Sequence, residues 1–169
     1  MRLASEALYS AEQVGRRVAE LGARISQDYE GREVAALGVL KGSFIFMADL
    51  VRQIRRPVRC GFIDISPSPR PGSITEMVFT SSFEVRGTDL LVVEDILDTG
   101  VTLAYLLEQL ELREPRSLRV AALLDKPARR RVAMHADYVG FEVPDRFIVG
   151  YGLDHGEEFR NLPYLTYVE

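Results

Sequence analysis

Apolar runs of strand length, alternating with helical segments, constrain this chain more than any other feature. Val34–Leu40 and Asp89–Val93 are short and almost continuously apolar, as in strands buried on both faces of a sheet. Val58–Ile65 and Leu118–Leu124 read as further strands, and Tyr138–Val143 and Phe147–Tyr151 as shorter ones. Between them, Phe44–Ile54 is long and apolar enough for a packed helix. Thr102–Leu112 sets Leu103, Leu106, Leu107 and Leu110 on one helical face, with Pro115 beyond its end. Strands alternating with helices imply parallel βαβ units with right-handed crossovers. The expectation is an α/β fold with a mostly parallel, twisted sheet flanked by helices.

A first helix is predicted from Ala11 to about Tyr29. Ser10 can cap it, Gln13 completes a capping box, and Gly31 ends it. Val14, Val18, Leu21 and Ile25 recur at helical spacing, which reads as packing. Ser66–Ser73 holds three prolines and one glycine, so it is not regular structure. Thr75–Val85 reads as strands of an excursion or hairpin. No internal repeat, low-complexity tract or linker interrupts the 169 residues, and one domain over 1–169 is expected.

Composition narrows the partners. A net charge of −4 argues against a nucleic-acid binder, which usually carries a basic face. Arg129-Arg130-Arg131 is the one basic run, and it reads as a solvated loop or helix face. No run of 18 apolar residues exists, so no membrane span is expected. The N-terminal stretch breaks its apolar residues with charges, unlike a signal peptide. The single cysteine, Cys60, cannot bridge internally and suits a reducing, cytoplasmic compartment. Of 21 Lys and Arg residues only Lys41 and Lys126 are lysine, which gives those two some weight.

Ligands of open α/β sheets gather at the carboxyl ends of the strands. The richest such end here is Val92-Val-Glu-Asp-Ile-Leu-Asp-Thr-Gly-Val-Thr-Leu103. Glu94 and Asp95 are adjacent carboxylates as the strand leaves the sheet. Asp98-Thr99-Gly100-Val101-Thr102 turns tightly into a helix start, whose free N–H groups and threonine hydroxyls make a phosphate cradle. Taken singly, Asp98 or Thr99 could simply cap the helix and the acids could be a solvated turn. Carboxylates beside a bound phosphate call for a divalent cation or ribose hydroxyls between them. Neither GxxxxGK[ST] nor a GxGxxG opening a strand–helix unit is present, which excludes a P-loop and disfavours a dinucleotide fold.

Val92–Leu103 resembles the phosphoribosyl-diphosphate signature of the type I phosphoribosyltransferases. Three further segments resemble the hypoxanthine-guanine branch of that family: Leu40–Leu50, its pyrophosphate loop and following helix; Leu124-Asp-Lys-Pro127, its base-binding segment; and Val143–Asp154 with Glu158–Leu162, its C-terminal hood. The resemblance covers most of the chain from about residue 34, in family order. It implies the type I phosphoribosyltransferase fold, with a small hood largely within 126–169. It also implies purine salvage: Mg²⁺-dependent transfer of the 5-phosphoribosyl group from phosphoribosyl diphosphate to N9 of hypoxanthine or guanine, giving IMP or GMP and pyrophosphate.

Carried over position by position, the resemblance makes Asp98 the general base facing purine N7. The backbone of Asp98, Thr99, Gly100, Val101 and Thr102 would hold the 5′-phosphate. Glu94 and Asp95 would face the ribose hydroxyls, directly or through hydrated Mg²⁺, and Asp154 would help place a second Mg²⁺. Lys41, Gly42 and Arg160 would contact pyrophosphate. Lys126 would donate to the purine 6-oxygen, Phe147 would stack on the base, and the Ile148 backbone would meet its edge. A cis peptide is implied at Leu40–Lys41, and a homodimer or homotetramer as the assembly.

Two departures stand out. The family's lid usually carries a Ser-Tyr pair, whereas Ser66–Ser73 is proline-rich and has no tyrosine. His155 follows Asp154 where a tyrosine is frequent, and reads as a benign variant. Two rival readings stay open at this point, an RNA-binding regulator on the same fold and the same chemistry on xanthine. Asp98 and the purine hood favour the enzyme, and Lys126 favours 6-oxopurines without ranking them.

Overall fold

The computed structural model describes residues 2–66, 76–79 and 83–169. The first helix, α1 (Ala11–Asp28), opens on the expected capping box. Ser10 Oγ accepts from Gln13 N at 3.2 Å, and the Gln13 side chain accepts from Ser10 N at 2.8 Å. Strand β1 (Val34–Leu40), helix α2 (Phe44–Gln53) and strand β2 (Val58–Ser66) follow. Then come β3 (Glu76–Phe79), β4 (Asp89–Leu97), α3 (Val101–Glu111), β5 (Ser117–Asp125) and β6 (Tyr138–Glu142). The proline-rich segment lies, from Pro67 onward, outside the described residues, as do residues 80–82 of the expected excursion.

One sheet orders the strands β3-β2-β1-β4-β5-β6. Its five strands from β2 to β6 are parallel, and β3 alone runs antiparallel, beside β2. Alternation along each strand decides which layer a side chain joins. Val34 and Ala36, Leu91 and Val93, and Ala121 and Leu123 pack with Val18, Leu21, Phe46 and Leu50 of α1 and α2. Their neighbours Ala35 and Leu37, Leu90 and Val92, and Val120 and Ala122 pack with Leu103, Leu106 and Leu110 of α3 on the other face. Both faces are therefore covered, which is why the strands read as continuous apolar runs. Each fully buried leucine stabilises the fold by about 1.5–3 kcal/mol over leaving it exposed.

Strand β4 runs further than its apolar letters suggest. Glu94–Leu97, expected as a turn, continues the ladder on β5 through Ile96↔Leu124 and Leu97↔Asp125. Glu94 and Asp95 thus sit on a strand end rather than on a turn. The expected Phe147–Tyr151 strand shrinks to β7 (Ile148–Val149), because its antiparallel partner β8 (Thr166–Tyr167) offers only two residues. Bridges Leu3↔Val168 and Tyr9↔Leu165 tie the N-terminal segment to this C-terminal hairpin. Among the described residues no helix is long and apolar enough to cross a membrane.

Candidate active site

The carboxyl ends of β1, β4 and β5 meet the C-terminal hairpin around two adjoining cavities. One, of about 210 Å³, is lined by Glu94, Ile96–Gly100, Thr102 and Leu103. The other, of about 190 Å³, is lined by Asp95, Ile96, Asp98, Lys126, Phe147, Ile148, Leu153 and Asp154. Asp98 and Ile96 border both, so one carboxylate stands where the two spaces join.

The first cavity ends on the start of α3. Gly100 is its N-cap with φ +81°, a left-handed conformation that only glycine adopts freely. No side chain caps the helix in the usual way. Among the described residues, the one side-chain contact to the first turn is a long one, from Val101 N to Thr99 Oγ1 at 3.4 Å. Neither Asp98 nor Thr99 therefore serves as a plain cap, and the helix start faces the cavity with its donors and positive dipole end.

Glu94 and Asp95 lie beside it. Burial first, and the neighbouring Asp95 charge second, push the Glu94 carboxyl well above the usual carboxylate range. Burial also raises Asp95, against backbone hydrogen bonds that lower it, including one from Ile96 N at 2.7 Å. The like charge adds to the rise at Glu94, whereas at Asp95 the Arg160 charge and the Glu94 hydrogen bond oppose it. Among the described residues, no three His, Cys, Asp or Glu side chains gather to hold a metal alone. An adjacent carboxylate pair on the cavity walls fits a Mg²⁺ ion that keeps its waters and shares substrate phosphates.

Lys41 and Gly42 form the turn from β1 to α2. The Leu40–Lys41 peptide is cis, as expected. Lys41 Nζ donates to Glu157 Oε1 at 3.2 Å, which ties this turn to the C-terminal segment. Gly42 lies against Asp95. Arg160 donates through Nη1 to Gly152 O at 2.8 Å, and its Nη2 is 2.8 Å from Asp154 Oδ1. Its buried Nε has no hydrogen-bond partner among the described residues. A buried donor left unpaired is costly, and an anion at this point would satisfy it.

Around the second cavity, Lys126 is buried at 7% exposure and its backbone N donates to Leu97 O at 3.0 Å. Phe147, by contrast, is 52% exposed, so its ring is not core packing. His155 meets that ring edge-on, with centroids 4.9 Å apart. Ile148 is held by its ladder pairing with Tyr167. Of the expected site residues, Glu94, Asp98, Thr99, Gly100 and Thr102 line the first cavity and Asp95, Asp98, Lys126, Phe147, Ile148 and Asp154 the second, whereas Lys41, Gly42, Val101 and Arg160 line neither.

Three further residues were not foreseen. Leu153 lines the second cavity. Arg130 is turned inward, where its guanidinium bonds Asp125, Asp98 O and, at 3.1 Å, Leu97 O. Arg129 Nε donates to Asp98 Oδ1 at 2.7 Å, and its Nη1 reaches Asp145. Arg129 and Arg131 stay exposed, as the letters suggested, and Arg130 alone is turned away from solvent. The partners of Arg129 lie 31 residues upstream and 16 downstream, beyond any local pattern.

The fold and site together define an α/β protein in which an uncapped helix start borders a second, adjoining cavity. The phosphoribosyl transferase domain model matches residues 4–155. Hypoxanthine-guanine phosphoribosyltransferase of Bacillus subtilis is 43% identical over 161 residues, covering 94% of this chain and 89% of that protein. Hypoxanthine phosphoribosyltransferase of Salmonella typhimurium is 41% identical over 170 residues, covering 98% and 96%. A crystal structure of the Bacillus anthracis hypoxanthine-guanine enzyme, with HEPES in its active site, superposes with a TM-score of 0.91 at 42% identity over 96% of each chain. The chain belongs to the phosphoribosyltransferase family, in its hypoxanthine-guanine branch.

Proposed function

We propose that this chain is a hypoxanthine-guanine phosphoribosyltransferase of purine salvage, and that Asp98 is its general base. The single observation that carries the reading is the position of Asp98, shared by the helix-start cavity and the cavity lined by Lys126 and Phe147. A phosphoribosyl group held in the first and a purine in the second would meet there.

The bond from C1′ to the pyrophosphate oxygen breaks, and the leaving group takes the electron pair. N9 of the purine forms the new bond to C1′, and the proton on N7 passes to the Asp98 carboxylate. A base placed for such a transfer is worth typically about 10²–10⁴-fold. Backbone N–H groups of 99–102 would hold the 5′-phosphate against the positive end of α3. Lys41, Gly42 and Arg160 would receive pyrophosphate. Lys126 would donate to the 6-oxygen, Phe147 would cover one face of the ring, and the backbone of Ile148 would meet its edge. Glu94 and Asp95 would hold Mg²⁺ over the ribose hydroxyls, with Asp154 toward a second ion. Bound there, the ion would neutralise charge as it develops on the leaving group.

A substrate panel tests this reading: hypoxanthine, guanine, xanthine, adenine and uracil, each with phosphoribosyl diphosphate and Mg²⁺. Pyrophosphate release with hypoxanthine or guanine, and none with adenine or uracil, is expected. Turnover of adenine or uracil but of no 6-oxopurine would overturn it.

A further inference from the structure

Arg129 is in contact with Asp98, yet it has no part in the chemistry described above. Its Nε donates to Asp98 Oδ1 at 2.7 Å, and no hydrogen bond from a described residue reaches Oδ2. Behind it, Nη1 faces Asp145 Oδ1 at 3.3 Å and Oδ2 at 3.5 Å. The two carboxylates, Asp98 first, push the Arg129 guanidinium further above its ordinary range. The backbone is fixed as well. Arg129 N donates to Lys126 O at 3.0 Å, and Arg131 N to Thr99 O at 2.9 Å. Arg130 grips the carbonyls of Leu97 and Asp98 from the side. The segment after Lys126 is thereby fastened to the loop that carries Asp98.

A side chain in such a setting has two ordinary roles, stability and solubility. Arg129 and Asp98 are 40% and 38% exposed, so solvent screens the pair and its effect on stability is small. What the geometry does control is direction. A carboxylate with one oxygen held by a planar, braced guanidinium can no longer rotate freely about its Cβ–Cγ bond. The free oxygen then belongs to a held carboxylate on a residue that lines both cavities.

We propose that Arg129 is a positioning residue for phosphoribosyl transfer. By holding one oxygen of Asp98, it presents the other to the N7 edge of the incoming purine, and Asp145 fixes the guanidinium in turn. This rests on the general-base reading of Asp98 given above.

A double-mutant cycle between Arg129→Gln and Asp98→Asn tests it, read as kcat, KM for each substrate and Tm. In the native background Arg129→Gln is expected to lower kcat by roughly 10- to 100-fold, with KM for phosphoribosyl diphosphate changed by less than about 3-fold. Tm should shift by no more than about 3 °C, and Arg129→Lys should restore part of the loss. In the Asp98→Asn background Arg129→Gln should change kcat by less than about 3-fold, because there is no base left to aim. Asp145→Asn repeats the test from the far side should Arg129→Gln fail to fold. An equal loss in both backgrounds, or an unchanged or raised kcat in the native one, would overturn the inference. Failure of Asp98→Asn to lower kcat would instead overturn the general-base reading, so the two failures are separable.

Discussion

Gly42 stands so close to Asp95 that a Cβ built on it would lie 1.5 Å from Asp95 Oδ2. The turn after β1 therefore closes onto the end of β4 with no room for a side chain. Gly42→Ala must displace Asp95 or the turn. Misplacement by about 1 Å at a reacting centre can cost roughly 10²-fold, and kcat/KM is expected to fall by about that factor. Steady-state kinetics with each substrate varied in turn measures it.

Asp89 at the start of β4 predicts the acid limb of stability. Burial raises its carboxyl, but hydrogen bonds from Arg116 and Ser117, and the charges of Arg116 and Arg32, outweigh this and hold it below the usual range. A carboxylate lowered in the folded state stabilises above its unfolded value, near 3.9, and loses that contribution as pH falls through its folded value. Asp89→Asn should cost about 1.5–3 kcal/mol at pH 7 and flatten the decline below about pH 4. Urea unfolding from pH 7 to pH 2.5 reads both effects.

Phe147 and His155 predict a split between the substrates. The exposed ring of Phe147 lines the second cavity, where the proposed purine would lie, with His155 against its edge. Stacking of a base on an aromatic ring is worth about 1–3 kcal/mol. Phe147→Ala should raise KM for hypoxanthine by roughly 5- to 100-fold and leave KM for phosphoribosyl diphosphate within about 3-fold. Initial rates over both concentration ranges check this.

Leu91 predicts the cost of a hole under α1 and α2. It is fully buried in that layer, and Leu91→Ala should destabilise by about 2–5 kcal/mol. Denaturant unfolding measures the change, and activity of the folded fraction should persist.

What the letters show and hide follows from distance along the chain. The capping box of Ser10 and Gln13 is local, three residues wide, and was readable. So were the strands, because two-sided burial demands apolar runs. The uncapped helix start beside two carboxylates was readable because one short segment carries the acids, the glycine and the helix start. The end of β4 was hidden, since Glu94 and Asp95 look like a turn while the ladder to Leu124 and Asp125 holds them in the sheet. Strand β8 was hidden because two residues have no period, and only Ile148 and Val149 make them a strand. The packing of Gly42 on Asp95, and of Arg129 between Asp98 and Asp145, joins residues that no local spacing relates.

The most direct measurement is the turnover of Asp98→Asn with hypoxanthine, phosphoribosyl diphosphate and Mg²⁺, beside its Tm. Asparagine keeps the shape of the side chain but cannot take up the N7 proton. Turnover is expected to fall by roughly two orders of magnitude or more, with the fold intact. Native turnover in a folded Asp98→Asn would contradict the account at its centre.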